Sequence, residues 1–251
     1  MYCSGFLIDD KLYIIGGLSL NGKVLGDFKE IDLTKNVGKT PKVESGWDLL
    51  TQVYCSQICG VFYQSRLSRN LSTKCEQVRI KELTSKLNWG IQTDFIKHEG
   101  FYMFGGRLSD NSATNKLLLF TLHYDSIKEV TSFKITKPKT LGKQPPDRYM
   151  HSMTFVPKEN CIAIFGGRDD YNKPNVIFND LWVLRLNNLE WVKVEIGGQA
   201  NQIERCNHCA INDGSKLIIL GGQDSSFNVN KTIAVIELDQ DKVDRKNPVM
   251  A

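Results

Sequence analysis

An apolar run closed by two glycines recurs four times along the 251 residues: Leu12 to Gly17, Tyr102 to Gly106, Ile162 to Gly167 and Leu217 to Gly222. The pairs themselves are Gly16-Gly17, Gly105-Gly106, Gly166-Gly167 and Gly221-Gly222. A fifth, degenerate copy aligns Val61 to Ser68 with Tyr102 to Ser109 and puts Gln64-Ser65 where the glycines belong. The slots start at 16, 64, 105, 166 and 221, so the steps are 48, 41, 61 and 55, with a mean of about 51. A fixed period of this length means a repeat architecture, in which each unit is one supersecondary element that buries its faces only against its neighbours.

The runs are continuous rather than alternating, as expected of strands covered on both faces. A second signature follows each run. Its best copy is Asn179-Asp180-Leu181-Trp182-Val183-Leu184-Arg185-Leu186 with Trp191 beyond it, and Asn115 to Leu122 echoes it. Weaker echoes are Asp27 to Leu33, Val78 to Leu83 with Trp89, and Ile233 to Leu238. Apolar stretches divided by short polar turns read as strand, turn, strand. The expected fold class is therefore all-β.

Hydrophobic residues make up 41% and charged residues 24% of the chain, which suits an ordinary folded core rather than disorder. A net charge of +4 from 32 basic and 28 acidic residues is too balanced for nucleic-acid binding through the bulk field. No apolar run reaches the ~18 residues of a membrane helix, and Asp9-Asp10 interrupts the N-terminal stretch before a signal-peptide core can form. Seven cysteines without framework spacing suit reduced thiols. These features lead us to expect a soluble, cytoplasmic chain with no nucleic-acid or membrane partner.

With these residues assembled, the chain resembles the kelch-repeat family. Its blades look like Arg-x-x-His-Ser, an apolar run, diglycine, a Leu-rich strand and a Trp. The fullest match runs from Arg148 and His151 through Gly166-Gly167 to Trp191, and Arg205 with His208 opens another ahead of Gly221-Gly222. The resemblance implies a kelch-type β-propeller of four-stranded blades. About five blades are expected in one domain over 1–251, with repeats near 1–50, 51–90, 91–144, 145–198 and 199–251. These either close alone or form part of an incomplete ring of six or more. Arg148, His151, Arg205, His208, Trp191 and the glycines are expected to be structural, repeat-defining residues.

Several motifs suggest chemistry. Gly17 to Val24 nearly matches a phosphate-binding loop, yet Val24 replaces the hydroxyl such a loop places on magnesium. Cys206-Asn207-His208-Cys209 has the look of a zinc or redox site. On a strand, however, residues three apart point to opposite faces, so these thiols should not share a ligand. His98 and His123 have no spacing for shared ligation, and the Lys134 to Pro146 tract reads as a basic, solvated linker. No catalytic residue, metal or cofactor is expected.

The kelch resemblance implies a protein-interaction scaffold or adaptor that presents loops on one propeller rim. A kelch-fold enzyme of oxidase, epimerase or lyase type is the alternative, as is a structural subunit of a cytoskeletal or ubiquitin-linked assembly. The residue after each diglycine slot is Leu18, Arg66, Arg107, Arg168 or Gln223. Equivalent positions of successive blades share one rim, so Arg66, Arg107 and Arg168, with Asp169, Tyr171 and Gln223, are the candidate binding residues. Guanidinium forks suit a partner with an acidic or phosphorylated segment. Alternatively, each arginine pairs with a loop aspartate such as Asp110 or Asp169. The loops Arg168 to Ile177 and Gln223 to Asn230 look long, which favours recognition.

Overall fold

A computed structural model describes residues 3–8, 10–45, 49, 53–54, 57–61, 100–125, 130–172, 174, 176–197, 204–214 and 216–238. The first strands are β1 (Ser4–Ile8), β2 (Lys11–Ile15), β3 (Phe28–Asp32), β4 (Val37–Lys39), β5 (Lys42–Ser45), β6 (Val53–Tyr54), β7 (Gln57–Val61) and β8 (Gly100–Phe104). They are followed by β9 (Arg107–Leu108), β10 (Leu117–Asp125), β11 (Val130–Thr136), β12 (Ser152–Val156) and β13 (Cys161–Phe165). The last are β14 (Leu181–Arg185), β15 (Glu190–Val194), β16 (Cys209–Asp213), β17 (Lys216–Leu220) and β18 (Ala234–Glu237). The chain divides into two compact units, one holding 1–104 and 116–138, the other 105–115 and 139–251.

In the first unit, β1-β2-β3-β4 form one sheet and β5-β11-β10-β8-β7 another. Their core is aromatic. Phe6 stacks on Phe101 with centroids 3.9 Å apart, while Tyr13 and Phe28 meet Phe133 edge-on at 5.0 and 5.3 Å. Such pairs add about 0.5–1.5 kcal/mol each beyond the area they bury.

This unit corrects the expected repeat count. β7 pairs antiparallel with β8, Gln57 opposite Phe104 and Val61 opposite Gly100, so both strands belong to one sheet. The fifth copy is not a blade of its own among the described residues. Its apolar run begins in the first strand of a blade, not the strand that ends in diglycine. Both inner strands of a blade are continuous apolar runs, so hydrophobicity alone does not distinguish them. The remainder of that copy, 62–99, lies outside the described residues. Among the described residues there are four sheets of three or more strands where five copies were expected.

The second unit holds the sheets β12-β13-β14-β15 and β16-β17-β18, all neighbours antiparallel. One sheet turns Val156, Cys161, Ala163, Phe165, Leu181 and Val183 onto Leu217, Ile219, Ala234 and Ile236 of the next. The two sheets of this unit thus share one apolar layer. The Lys134 to Pro146 tract is only partly the solvated linker expected. Its start belongs to β11, and Leu141 bridges in parallel to Glu190, exchanging hydrogen bonds of 2.9 Å with Leu189 and Trp191.

Arg148 is fully buried. Its guanidinium donates to Gly166 O at 2.9 Å and to both carboxylate oxygens of Asp180 at 2.8 and 3.0 Å, and it lies over the Phe178 ring. Burial opposes the charge of Asp180, but Arg148 outweighs it and holds the carboxyl below its ordinary value. In the next repeat Arg205 donates to Gly221 O and Thr232 O, each at 3.1 Å. The histidine slots are packing positions. A Cβ on Gly105 would meet His151 Cε1 at 2.7 Å, and His208 lies edge-on to Phe165 with its Nε2 2.9 Å from Ser152 Oγ.

Two predictions follow from this packing. A Cβ at Gly166, where φ is +63°, would sit 2.4 Å from Arg205 O, whereas a Cβ at Gly221, φ +65°, would meet nothing within 4 Å. Gly221→Ala should therefore cost only the left-handed backbone penalty of about 1–2 kcal/mol, and Gly166→Ala clearly more, as read by urea denaturation. Equal losses would refute the difference in packing.

The second concerns pH. Burial first, then the charge of Arg205, pushes the His208 imidazole down to about 4. Between that value and the ordinary 6.5 the unfolded chain binds more protons than the folded one. The neutral ring's contribution is therefore complete above pH ~6.5 and lost as pH falls to ~4. Stability should fall by on the order of 3 kcal/mol across that window, and His208→Gln should flatten the fall. Parallel pH profiles for the two proteins would overturn the assignment.

Candidate interaction surface

Each diglycine is followed by a residue that bridges back across a small loop: Leu18 to Val24, Arg107 to Ala113, Arg168 to Ile177 and Gln223 to Val229. Three of the loops have one design. Ser19, Leu108 and Asp224 each donate a backbone N–H to the residue four further on and accept one from the residue three further on. That third residue is left-handed, with φ of 80° at Gly22, 70° at Asn111 and 63° at Phe227. The Gln223 loop is therefore no longer than its counterparts. Only the loop from Arg168 to Ile177 carries three extra residues, Tyr171 among them.

The second unit brings several rim residues together. Arg107 lies over the Tyr149 ring, 5.2 Å from its centroid, and its Nε donates to Asn111 O. The Tyr149 hydroxyl donates to Asp170 Oδ2 at 2.5 Å, and Arg168 donates to Asp170 Oδ1 at 2.7 Å. Arg168 in turn lies over the Phe227 ring at 4.8 Å. Burial, then the hydrogen bond to Asp170, drives the Tyr149 phenol far above its ordinary value. It stays a neutral donor at neutral pH.

Arg168 pairs with a loop aspartate, though not the one named from the sequence. Arg168 has a side chain only 5% exposed and gives its charge to Asp170, two residues on, rather than to Asp169. Asp169 instead accepts from Asn172 Nδ2 at 2.8 Å. Asp110 is occupied by the backbone N–H and hydroxyl of Ser112, an Asx turn that points it along its own loop rather than at Arg107. Asp147 is held above its ordinary value by burial and then by the charge of Asp169. Gln223 is half-buried and bridges Cys206 and Val229 through its backbone. Arg66 lies outside the described residues.

The loops also expose large apolar side chains. Tyr171 and Phe227 are 63% and 60% exposed, and Val176 and Val229 are exposed beside them in sequence. Sequence reasoning found Tyr171 and missed Phe227, Tyr149 and Asp170. The signal for Phe227 was present, because it stands at the loop position that Gly22 and Asn111 fill, where a bulky residue is out of place. Cys206 is buried, with its thiol raised by that burial, while Cys209 is exposed. Among the described residues no group of three or more His, Cys, Asp or Glu is placed to hold a metal ion.

Inner strands closed by diglycine turns and, in the second unit, a buried arginine ahead of each sheet define a kelch-type β-propeller. The sequence model of the KLHDC2/KLHL20/DRC7 Kelch-repeats domain matches residues 93–248, and the chain belongs to this kelch-repeat family. It is 29% identical over 216 residues to acyl-CoA-binding domain-containing protein 5 of Arabidopsis thaliana, covering 86% of this chain and 27% of that protein. It is 29% identical over 129 residues to tip elongation aberrant protein 1 of Schizosaccharomyces pombe, covering 51% of this chain and 10% of that protein. It is also 27% identical over 118 residues to host cell factor of Drosophila melanogaster, covering 41% and 8%. The chain spans about a quarter or less of the length of these relatives.

The different burial of the two arginines makes a direct prediction. Arg168→Ala strips Asp170 of its cation in a largely buried setting and should cost on the order of 2 kcal/mol. Arg107→Ala removes a half-exposed contact to a ring and should cost about 0.5–1 kcal/mol. Thermal melts of the two variants check the order, and a larger loss for Arg107→Ala would reverse it.

Proposed function

We propose that this chain is a protein-interaction module, a cytoplasmic scaffold or adaptor whose contact surface is the rim of loops after the diglycines. The observation that carries this reading is the division of roles in the second unit. The polar groups of Arg168, Asp170 and Tyr149 are satisfied by one another, while Tyr171 and Phe227 project from the loops beside them. Exposed aromatics held on a rigid base contribute large contact area at small entropic cost, as interface anchors do. Phe227 is fixed twice, by the loop that sets its backbone at φ 63° and by the guanidinium over its ring. Such a position disfavours Phe for folding alone, which suits a residue kept for contact. The free thiols of Cys3, Cys161, Cys206 and Cys209 fit a reducing compartment.

A preference for an acidic or phosphorylated segment draws within this reading on Arg107, whose Nε donates to Asn111 O and whose guanidinium lies over Tyr149. The two parts separate by experiment. Tyr171→Ser with Phe227→Asn removes both aromatics and places at 227 a residue suited to the left-handed backbone. That variant should lose native partners captured by the full chain while melting at or above the parent temperature. Leu20→Ser, at a fully exposed position on a first-unit loop, should retain them. Unchanged capture by the double variant would overturn the assignment of the rim. Loss of capture in Arg107→Ala, with a steep dependence on salt, is the result expected of an acidic partner.

A further inference from the structure

The loop that follows Gly16-Gly17 holds the sole Asn-Gly pair in the chain, Asn21-Gly22. An asparagine side-chain amide is an electrophile, and the backbone nitrogen of the next residue is a nucleophile within reach of it. That attack needs a clear approach, and glycine, with no Cβ, leaves it clearest. The surroundings are open as well. Asn21 and Gly22 are both exposed, and even a Cβ built on Gly22 would meet nothing within 4 Å.

The loop also polarises the amide. The Ser19 hydroxyl donates to Asn21 Oδ1 at 2.5 Å, and the Lys23 N–H approaches the same oxygen at 3.4 Å. Donors there favour the negative charge that this oxygen gains when a nitrogen adds to Cγ. What restrains the nucleophile is a neutral turn hydrogen bond, Gly22 N to Ser19 O at 3.1 Å.

The two loops of the same design in the second unit lack this combination. The nitrogen after Asn111 is that of Ser112, and it donates to the Asp110 carboxylate at 2.9 Å. A bond to a charged acceptor is stronger than one to a carbonyl and must be given up before the nitrogen attacks. The nitrogen after Asn228 is that of Val229, whose branched Cβ crowds the approach. Asp110 stands at the loop position that Asn21 fills, so the design accepts an aspartate there.

We propose that Asn21 is a self-modification site, at which Gly22 N displaces the side-chain amide with the help of the Ser19 hydroxyl. The Gly22 N–Cγ bond forms and the Cγ–Nδ2 bond breaks, and ammonia leaves with the proton that Gly22 N gives up through solvent. Water then opens the cyclic imide. Attack at Cγ leaves an ordinary aspartate, and attack at the main-chain carbonyl carbon leaves an aspartate joined to Gly22 through Cγ. The first product adds a negative charge beside Lys23 and keeps the loop. The second also lengthens the backbone between Ser19 and Lys23 by one carbon. The hydrogen bonds Ser19 N to Lys23 O and Gly22 N to Ser19 O then cannot both keep their geometry.

The test incubates the full chain at neutral and at alkaline pH and digests it for mass spectrometry. The peptide holding Asn21 should gain the mass of an amide-to-acid exchange and split into two chromatographic forms, faster at alkaline pH. The peptides holding Asn111 and Asn228 should stay unchanged over the same time. Asn21→Gln should abolish the reaction, Ser19→Ala should slow it several-fold, and Ser19→Thr, which keeps the hydroxyl, should restore it. Incubation in denaturant supplies the rate of the unfolded chain. An intact Asn21 in the folded chain, under conditions where the unfolded chain reacts, overturns the proposal. Modification of Asn111 or Asn228 as fast as Asn21 does so too, and a rate for Ser19→Ala at or above the parent's overturns the role of Ser19.

Discussion

Sheets of the second unit are held in sequence by a backbone clasp. The N–H of the second glycine in one repeat donates to the carbonyl of the arginine that opens the next, Gly106 to Arg148 at 2.9 Å and Gly167 to Arg205 at 3.0 Å. The first glycine lies so close to that carbonyl that a Cβ would approach within 2.6 Å at Gly105 and 2.4 Å at Gly166. The arginine then turns its guanidinium the other way, into its own repeat, onto Gly166 O and Asp180 or onto Gly221 O and Thr232. One residue thereby ties the preceding repeat by its main chain and its own by its side chain. A buried guanidinium is stable only when its donors are met, so the clasp tolerates change at the acceptor only where a carbonyl or hydroxyl replaces the carboxylate, as Thr232 does.

The position of the rim follows from that clasp. The loop-bearing residues Arg107 and Arg168 come directly after it, so their backbones are fixed next to the hydrogen bonds that join repeats, while Gln223 is held by its exchange with Cys206. A side chain leaving such a fixed point meets its neighbours at set distances. Arg168 therefore finds Asp170 and Phe227, and Tyr149 finds Asp170 and Arg107. The charge of Arg168 and Asp170 is spent in holding the loop, and Tyr171 and Phe227 are among the side chains left projecting. Projecting aromatics offer shape and contact area rather than charge.

Much of this was legible in the sequence, for identifiable reasons. Diglycine after an apolar run marks a backbone that must turn through positive φ beside another chain segment, and Gly105, Gly106, Gly166 and Gly167 do so. The repeat also singled out Arg148, Arg205 and His151, which are fully buried, and His208, which lies edge-on to Phe165. It failed at Val61 to Ser68, because hydrophobicity does not say which of two inner strands a run belongs to, and only the pairing of β7 with β8 does. It failed again for the ion pairs. Asp169 and Asp170 are adjacent in sequence and point to different partners, and only the loop geometry decides that Asp170 meets Arg168.

A repeat also conceals what breaks it. Sequence gives Ile218 and Ala163, or Val235 and Val183, the same meaning: apolar residues of a strand with two covered faces. Burial separates them, since covering one face of a sheet requires a second sheet and a sequence pattern names only the demand for it. The contrast between Gly166 and Gly221 makes the same point without reference to hydrophobicity. Both carry nearly the same φ, yet one is pressed against a carbonyl and the other faces open space. The diglycine is thus conformational at Gly221, and at Gly166 both conformational and a packing contact.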